Sequence, residues 1–324
     1  MARYVERVPS PVTDAAQPRA LIVTIYGLYG RGTPERSRGR SISGIADDGT
    51  PERGRGQSIL GAADGAGWLP VWMLVRLLAE LDVDEPAVRS AISRLKRRGL
   101  LVAERRGGVA GYGLSESGNA ILGEGDARIF APAEPRLADG WVLAIFSVPE
   151  HERAKRHTLR TQLAALGFGA CAPGVWVAPS HRYELTAASL RRHDLAPYVD
   201  LFRAEYLAFG DIAEHARGWW DLDAVRAAYV DFATTYRVGT RGGGGDGSRT
   251  RRAPNRPDDA AAFAAWVPAL TAWRRLPYLD PGLPVELLPE DWPASAARAT
   301  FSTLQATLAE PAQHFVATVR QRSV

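Results

Sequence analysis

Asp84 to Leu114 reads DEPAVRSAISRLKRRGLLVAERRGGVAGYGL, and the remaining segments are placed by reference to it. Asp84 suits a helix N-cap, Glu85 suits the positive helix start, and Pro86 is tolerated in the first turn. Val88, Ile92 and Leu95, with Ala91 beside them, recur at helical spacing and predict one apolar stripe. Arg89, Ser90, Ser93, Arg94 and Arg97 occupy the other side. Gly99 is a C-terminal stop, and Lys96, Arg97 and Arg98 fall where cations oppose the negative end of the dipole. Leu100–Arg105 then reads as a strand, Gly107-Gly108 as a tight turn with positive φ, and Val109–Leu114 as the returning strand.

A short basic helix leading into a two-stranded ribbon is the pattern of a winged helix-turn-helix. The major groove of B-DNA admits one helix, phosphates flank it, and a ribbon reaches a second stretch of backbone. Charge supports this reading over that of an ordinary solvated surface helix. Asp84–Arg106 holds six arginines and one lysine against three carboxylates, an excess equal to the +4 net charge of the whole chain. Arg89, Ser90, Ser93, Arg94 and Arg97 are expected to face bases, with Lys96, Arg98, Arg105 and Arg106 on phosphates. Double-stranded DNA is the expected partner.

A chain of 324 residues allows two or three domains, and 46% hydrophobic with 23% charged residues is ordinary for a globular protein. The pI of about 9.4 adds little by itself. One cysteine, Cys171, excludes an intrachain disulfide and reads as a small core residue. No apolar run approaches the roughly 18 residues of a membrane span, and no signal region is visible, so a cytoplasmic protein without membrane contact is expected.

Residues 1–17 read as a disordered leader. Pro18–Tyr29 reads as a buried helix, with a strand as the competing reading because Ile22, Val23 and Ile25 are β-branched. Within 31–66, TPERSRGRSISGIADDG from Thr33 is closely repeated by TPERGRGQSILGAADG from Thr50, and reads as a flexible insertion. Leu69–Leu81 is the next expected helix, with Trp72, Val75, Leu78 and Ala79 inward. Glu116–Leu122 closes a first domain spanning 18–123, and 124–139 is the expected linker and hinge. Domain 140–210 carries the order β-α-β-(β)-α-β: strand Trp141–Val148, helix Glu152–Leu166, one or two strands in Gly167–Pro179, helix Tyr183–Arg192 and strand Leu201–Phe209. That order predicts a ferredoxin-like α/β sandwich. From 211 to 324 the pattern is mostly helical, interrupted by a Gly/Arg-rich loop at 238–257. The expected class is therefore an α+β multidomain protein.

Three stretches resemble the PaaX family of repressors, which regulate phenylacetic acid catabolism. They are EPAVRSAISRLKRRGLL at Glu85–Leu101, GFGACAPGVWVAP at Gly167–Pro179 preceded by FSVPE, and WRRLPYLDPGLPVELLPEDWP at Trp273–Pro293. The resemblance runs from about Pro18 onward; the duplicated insertion and the Gly/Arg loop depart from it. It implies a winged-helix domain, a ferredoxin-like domain and a helical C-terminal domain. It further implies a homodimer on palindromic operator DNA, released by an aryl-acetyl coenzyme A thioester. Trp219, Trp220, Arg274, Arg275 and Tyr278 are the candidate effector residues, since an acyl-CoA wants an apolar slot and arginines for its phosphates. The competing reading makes these aromatics core and pairs Arg274 and Arg275 with Asp280 or Glu286.

An enzyme is the rival class. Small CRISPR-adaptation nucleases of ferredoxin-like fold hold a metal with an Asp at the end of the first strand. Here that strand ends Phe146-Ser147-Val148, with no carboxylate before Glu150, whereas a hard metal wants clustered carboxylates. The six histidines show no metal spacing. No catalytic residue, metal or cofactor is expected. A third reading, a scaffold whose basic helix docks protein, sits poorly with the arginines.

Overall fold

The computed structural model describes residues 17–31, 67–130, 133–207, 209–237 and 258–321. Nearly all of the leader and of the duplicated insertion, and the Gly/Arg loop, lie outside the described residues.

Helix α1 spans Pro18–Ile25 and continues as a wider π-type turn through Tyr26–Gly30. The β-branched run is therefore helical and not a strand, with Leu21, Ile22 and Ile25 buried. Strand β1, Trp68–Pro70, precedes helix α2, Val71–Ala79. The sequence placed Trp68's neighbours Leu69 and Pro70 in the helix; extended Pro70 instead caps it, and β1 pairs with a later strand. The buried face of α2 is Met73, Leu74, Leu77 and Leu78. Trp72 is 37% exposed and Ala79 is exposed, so the inward stripe is rotated from the expected one.

Helix α3, Glu85–Arg97, forms as its residues dictate. Asp84 Oδ1 accepts from the Ala87 amide at 2.7 Å, and Val88, Ala91, Ile92 and Leu95 are buried. At its end Gly99 has φ 71°, the Gly99 amide donates to the Lys96 carbonyl and the Leu100 amide to the Leu95 carbonyl. This pairing satisfies two orphan carbonyls and needs a left-handed residue. Strands β2, Leu101–Arg106, and β3, Val109–Leu114, follow; Gly107 and Gly108 at φ 55° and 82° make the two-residue turn. The sheet order is β1-β3-β2, antiparallel throughout. Helix α4 spans Glu116–Phe130, so the glycine-bearing start of the expected linker is helical. Gly125 sits in that helix because a Cβ there would lie 2.9 Å from the Tyr278 hydroxyl.

The central unit contains β4 (Trp141–Phe146), α5 (Arg153–Ala165), β5 (Gly169–Ala172), β6 (Val175–Pro179), α6 (Tyr183–Arg192) and β7 (Val199–Ala204). Its antiparallel order β5-β6-β4-β7 is that of the ferredoxin-like sandwich. Gly167–Pro179 is a hairpin turning at Gly174, φ 78°. The last strand begins and ends earlier than expected, leaving Leu207 and Phe209 exposed. Leu159 and Leu163 of α5 and Leu190 of α6 cover one sheet face.

Helices α7 (Ile212–Trp219), α8 (Leu222–Thr235), α9 (Asp259–Trp273), α10 (Leu276–Leu279) and α11 (Ala294–Gln321) complete the described chain. The helical run breaks at Trp220, where Asp221 caps α8 by accepting from Ala224. The C-terminal helices do not build a core of their own. Leu21 and Ile22 of α1, Leu77 of α2, Ile92 of α3, Trp266 of α9 and Phe301 of α11 belong to one continuous apolar cluster. Thr271 of α9 donates to Thr24 of α1 at 2.8 Å. The first and last thirds of the chain therefore share a core, and the central unit is attached to it.

Among the described residues no helix is long and apolar enough to cross a membrane, and no group of three or more His, Cys, Asp or Glu side chains could hold a metal. Cys171 is half-buried beside Trp141 and Val177, and burial pushes its thiol up to about 11.

Candidate nucleic-acid interface

The side of α3 opposite the core carries Arg89, Ser90, Ser93, Arg94, Lys96, Arg97 and Arg98, all exposed. At about 100° per residue, Ser90, Ser93 and Arg97 form the outermost line of the helix. Arg94 and Arg98 fall on one flank, Arg89 and Lys96 on the other. These cations differ in their company. Arg89 is bound to Glu85 one turn earlier at 2.6 Å. Arg94, Lys96, Arg97 and Arg98 make no ion pair among the described residues. Exposed ion pairs contribute at most about 1 kcal/mol, so Arg89 remains recruitable, but its charge is compensated in the free protein.

On the hairpin, Arg105 Nη1 donates to the Gly108 carbonyl at 3.1 Å, which holds its guanidinium beside the turn. Arg106 is engaged twice. It pairs with Glu104 at 2.8 Å and lies 5.5 Å from the centre of the Trp68 ring. The Arg106 hydrogen bond holds the Glu104 carboxyl below its usual range. Trp68 in turn donates from Nε1 to the Glu104 carbonyl at 3.3 Å, and Tyr26 donates to the Tyr112 carbonyl at 2.8 Å. The hairpin is thus tied to α1 and β1, as a ribbon must be if it is to hold one angle to α3.

Gly111 permits this tie. Its position faces the Trp68 indole, and a Cβ would lie 2.4 Å from the ring. Gly111→Ala should displace the ring and lower stability by about 1–3 kcal/mol, the usual cost of overpacking. Urea denaturation with Trp68 fluorescence reads both effects; an unchanged midpoint would show that the ring moves freely.

The candidate effector residues lie in separate environments. Trp219 and Trp220 pack on Trp141, ring centres 6.4 and 6.2 Å apart, and Trp220 donates to the Gly167 carbonyl at 3.0 Å. They belong to the cluster between α7 and the free face of the central sheet. Arg274 turns the other way and donates to Thr24 of α1 at 2.9 Å. Burial lowers its pKa, offset in part by Tyr278 and Asp126. Arg275 is half-buried. Tyr278 lies under Arg128, 4.5 Å from guanidinium carbon to ring centre. Asp280 accepts from the Tyr229 hydroxyl at 2.6 Å and from the Gly282 amide. The structure brings Arg274 and Tyr278 near each other, but packs the two tryptophans in a different apolar cluster.

Two arginines with no sequence signal prove structurally central. Arg128 of α4 donates to the Pro277 carbonyl at 2.7 Å. Arg182, 8% exposed at the start of α6, donates to the Pro281 carbonyl at 3.3 and 3.1 Å and to the Asp280 carbonyl at 3.3 Å. Burial, then Arg128, pushes the Arg182 guanidinium down to about 10. A buried arginine can be inferred from sequence only when its partner motif is known, and here the partners are backbone carbonyls.

Known family models match three successive stretches of the chain. The family described as PaaX-like protein matches residues 58–118, PaaX protein central Cas2-like domain matches 134–216, and PaaX-like protein C-terminal domain matches 220–318. The chain belongs to the PaaX-like family. It is 28% identical over 262 residues to the transcriptional repressor PaaX of Escherichia coli (strain K12), covering 78% of this chain and 79% of that one. The uncharacterized protein Rv0674 from Mycobacterium tuberculosis is 25% identical in sequence, with a TM-score of 0.47 over 78% of this chain and 92% of its own.

Proposed function

We propose that this protein is a DNA-binding transcriptional repressor and not an enzyme. Its N-terminal unit, residues 18–123, acts as a winged helix-turn-helix. The observation that carries the reading is the exposed side of α3: Ser90, Ser93 and Arg97 outermost, with uncompensated cations beside them and Arg105 at the hairpin turn. The PaaX repressor relative supports the same reading. In this role α3 enters the major groove, Arg97 bridges a guanine O6 and N7, and Lys96 and Arg105 meet phosphates. Two copies read a palindrome with half-sites about 34–36 Å apart, as two-fold symmetric readers do. The protein acts in the cytoplasm on an aromatic-acid catabolic operon, and an aryl-acetyl-CoA thioester weakens its hold on the operator. Arg274, Arg275 and Tyr278, with Trp219 and Trp220, are the residues proposed to answer to that ligand.

Selection of bound fragments from genomic DNA, followed by fluorescence anisotropy on a selected and a random duplex, tests this. Arg97→Ala should lose roughly 5- to 150-fold more affinity on the selected duplex than on the random one, the worth of one bidentate base contact. Equal loss on both would remove Arg97 from base reading. Absence of any salt-dependent duplex binding by the intact chain would overturn the function. Titration of the complex with phenylacetyl-CoA tests the effector; unchanged affinity and no heat would eliminate it.

A further inference from the structure

A concavity of about 230 Å³ lies between the start of α1 and the end of α3, lined by Arg19, Arg94, Leu95, Arg97 and Arg98. Leu95 is 3% exposed and forms its floor, while Arg19 is half-buried and the other three arginines are exposed. Four arginines thus line one depression, no carboxylate lines it, and none of the four makes an ion pair among the described residues. Three of them have a local explanation. Arg94, Arg97 and Arg98 stand at the C-terminal end of α3, where the dipole favours cations. Arg19 has the reverse placement: it sits in the first turn of α1, the positive end, and joins three like charges. That arrangement is unfavourable in the protein alone and becomes favourable around an anion.

We infer that Arg19, Arg94 and Arg98 form a clamp for one phosphodiester of the DNA backbone, beside the groove that α3 enters. The inference rests on the DNA-binding reading above and deepens it. A helix in the major groove has a sugar-phosphate strand along each flank, and Arg94 and Arg98 lie on the flank turned toward α1. Arg97, at the outer rim, remains directed to the bases. Arg94 therefore changes role from the one its sequence position indicates: it holds the backbone and carries no base preference. The first helix of the unit, which the sequence presents as purely internal, becomes part of the interface through Arg19.

Affinity of the full chain for a selected and a random fluorescein-labelled duplex, measured from 50 to 300 mM KCl, tests the clamp. Each phosphate contact contributes about 0.9 to the slope of log affinity against log salt. Arg19→Gln, Arg94→Ala and Arg98→Ala should each weaken both duplexes by the same factor, and the variant carrying all three replacements should make the slope shallower by about 0.9, the share of the one phosphate they hold. Arg19→Lys should keep most of the affinity, and Arg160→Ala, in the central unit, should keep both affinity and slope. Arg98 is exposed, so its variant reads out even if replacement of Arg19 disturbs α1. Steep salt dependence in the parent chain, with unchanged affinity in the Arg19 and Arg98 variants and an unchanged slope in the triple variant, would overturn the clamp alone. Selective loss on the selected duplex by Arg94→Ala would return Arg94 to base reading. A parent chain without duplex binding would remove the functional reading and the clamp together.

Discussion

Trp273→Ala should lower the stability of the whole protein by about 3–5 kcal/mol and weaken DNA binding without touching DNA. Trp273 is 3% exposed near the end of α9. It stacks on Phe301 of α11 with ring centres 4.6 Å apart and 8° between planes, tilts against Phe232 of α8 at 5.2 Å, and donates to the Ile129 carbonyl of α4 at 3.3 Å. Truncation therefore leaves a cavity at the meeting point of four helices and strips a buried carbonyl of its donor. Because the α1–α3 core is continuous with this cluster, the helix that carries the cationic face should loosen with it. Urea denaturation followed by circular dichroism, beside anisotropy at temperatures approaching the transition, provides the check. A large loss of stability with α1–α3 still fully protected from hydrogen exchange would show that the two ends of the chain fold separately.

Arg182→Ala should cost about 2–4 kcal/mol, because the half-buried Asp280 carbonyl and the buried Pro281 carbonyl lose charged donors at once. Arg182→Met should cost less. Burial already disfavours the guanidinium, as its lowered pKa of about 10 shows, and an apolar side chain of similar length fills the space without carrying that penalty. The effect should appear at the seam between the central unit and the 276–283 segment. Limited proteolysis there, beside thermal midpoints for both variants, measures it. Equal midpoints for parent and Arg182→Ala would mean that water replaces the donors and that the seam is held elsewhere.

Much of the architecture was legible because local signals agreed with one another. Asp84, Pro86, the Val88–Ala91–Ile92–Leu95 stripe and Gly99 each state the same helix, and the paired glycines at 107 and 108 state the turn. The apolar run from Trp141 and the leucine stripe Leu159–Leu163–Leu166 likewise located the first strand and helix of the central unit. The errors fall where local signals were balanced by distant partners. Trp68–Pro70 becomes a strand because β3 offers it backbone groups, and Trp72 stays exposed because the inward face of α2 is set by α11 and α3. Gly123 and Gly125 suggest a hinge, yet α4 continues through them, with Gly125 making room for the Tyr278 hydroxyl.

The sequence alone determined the composition of the cationic helix, its ends, and the family motifs that accompany it, since capping, periodicity and charge act within a few residues. Only tertiary structure decided which of those cations are already compensated, and that Arg19, some 75 positions upstream of Arg94, completes their depression. It also decided that the C-terminal helices share a core with the N-terminal ones. Spacing along the chain carries no record of contacts set by packing between distant elements; those depend on how the buried faces of α1, α3 and α9 fit together in space.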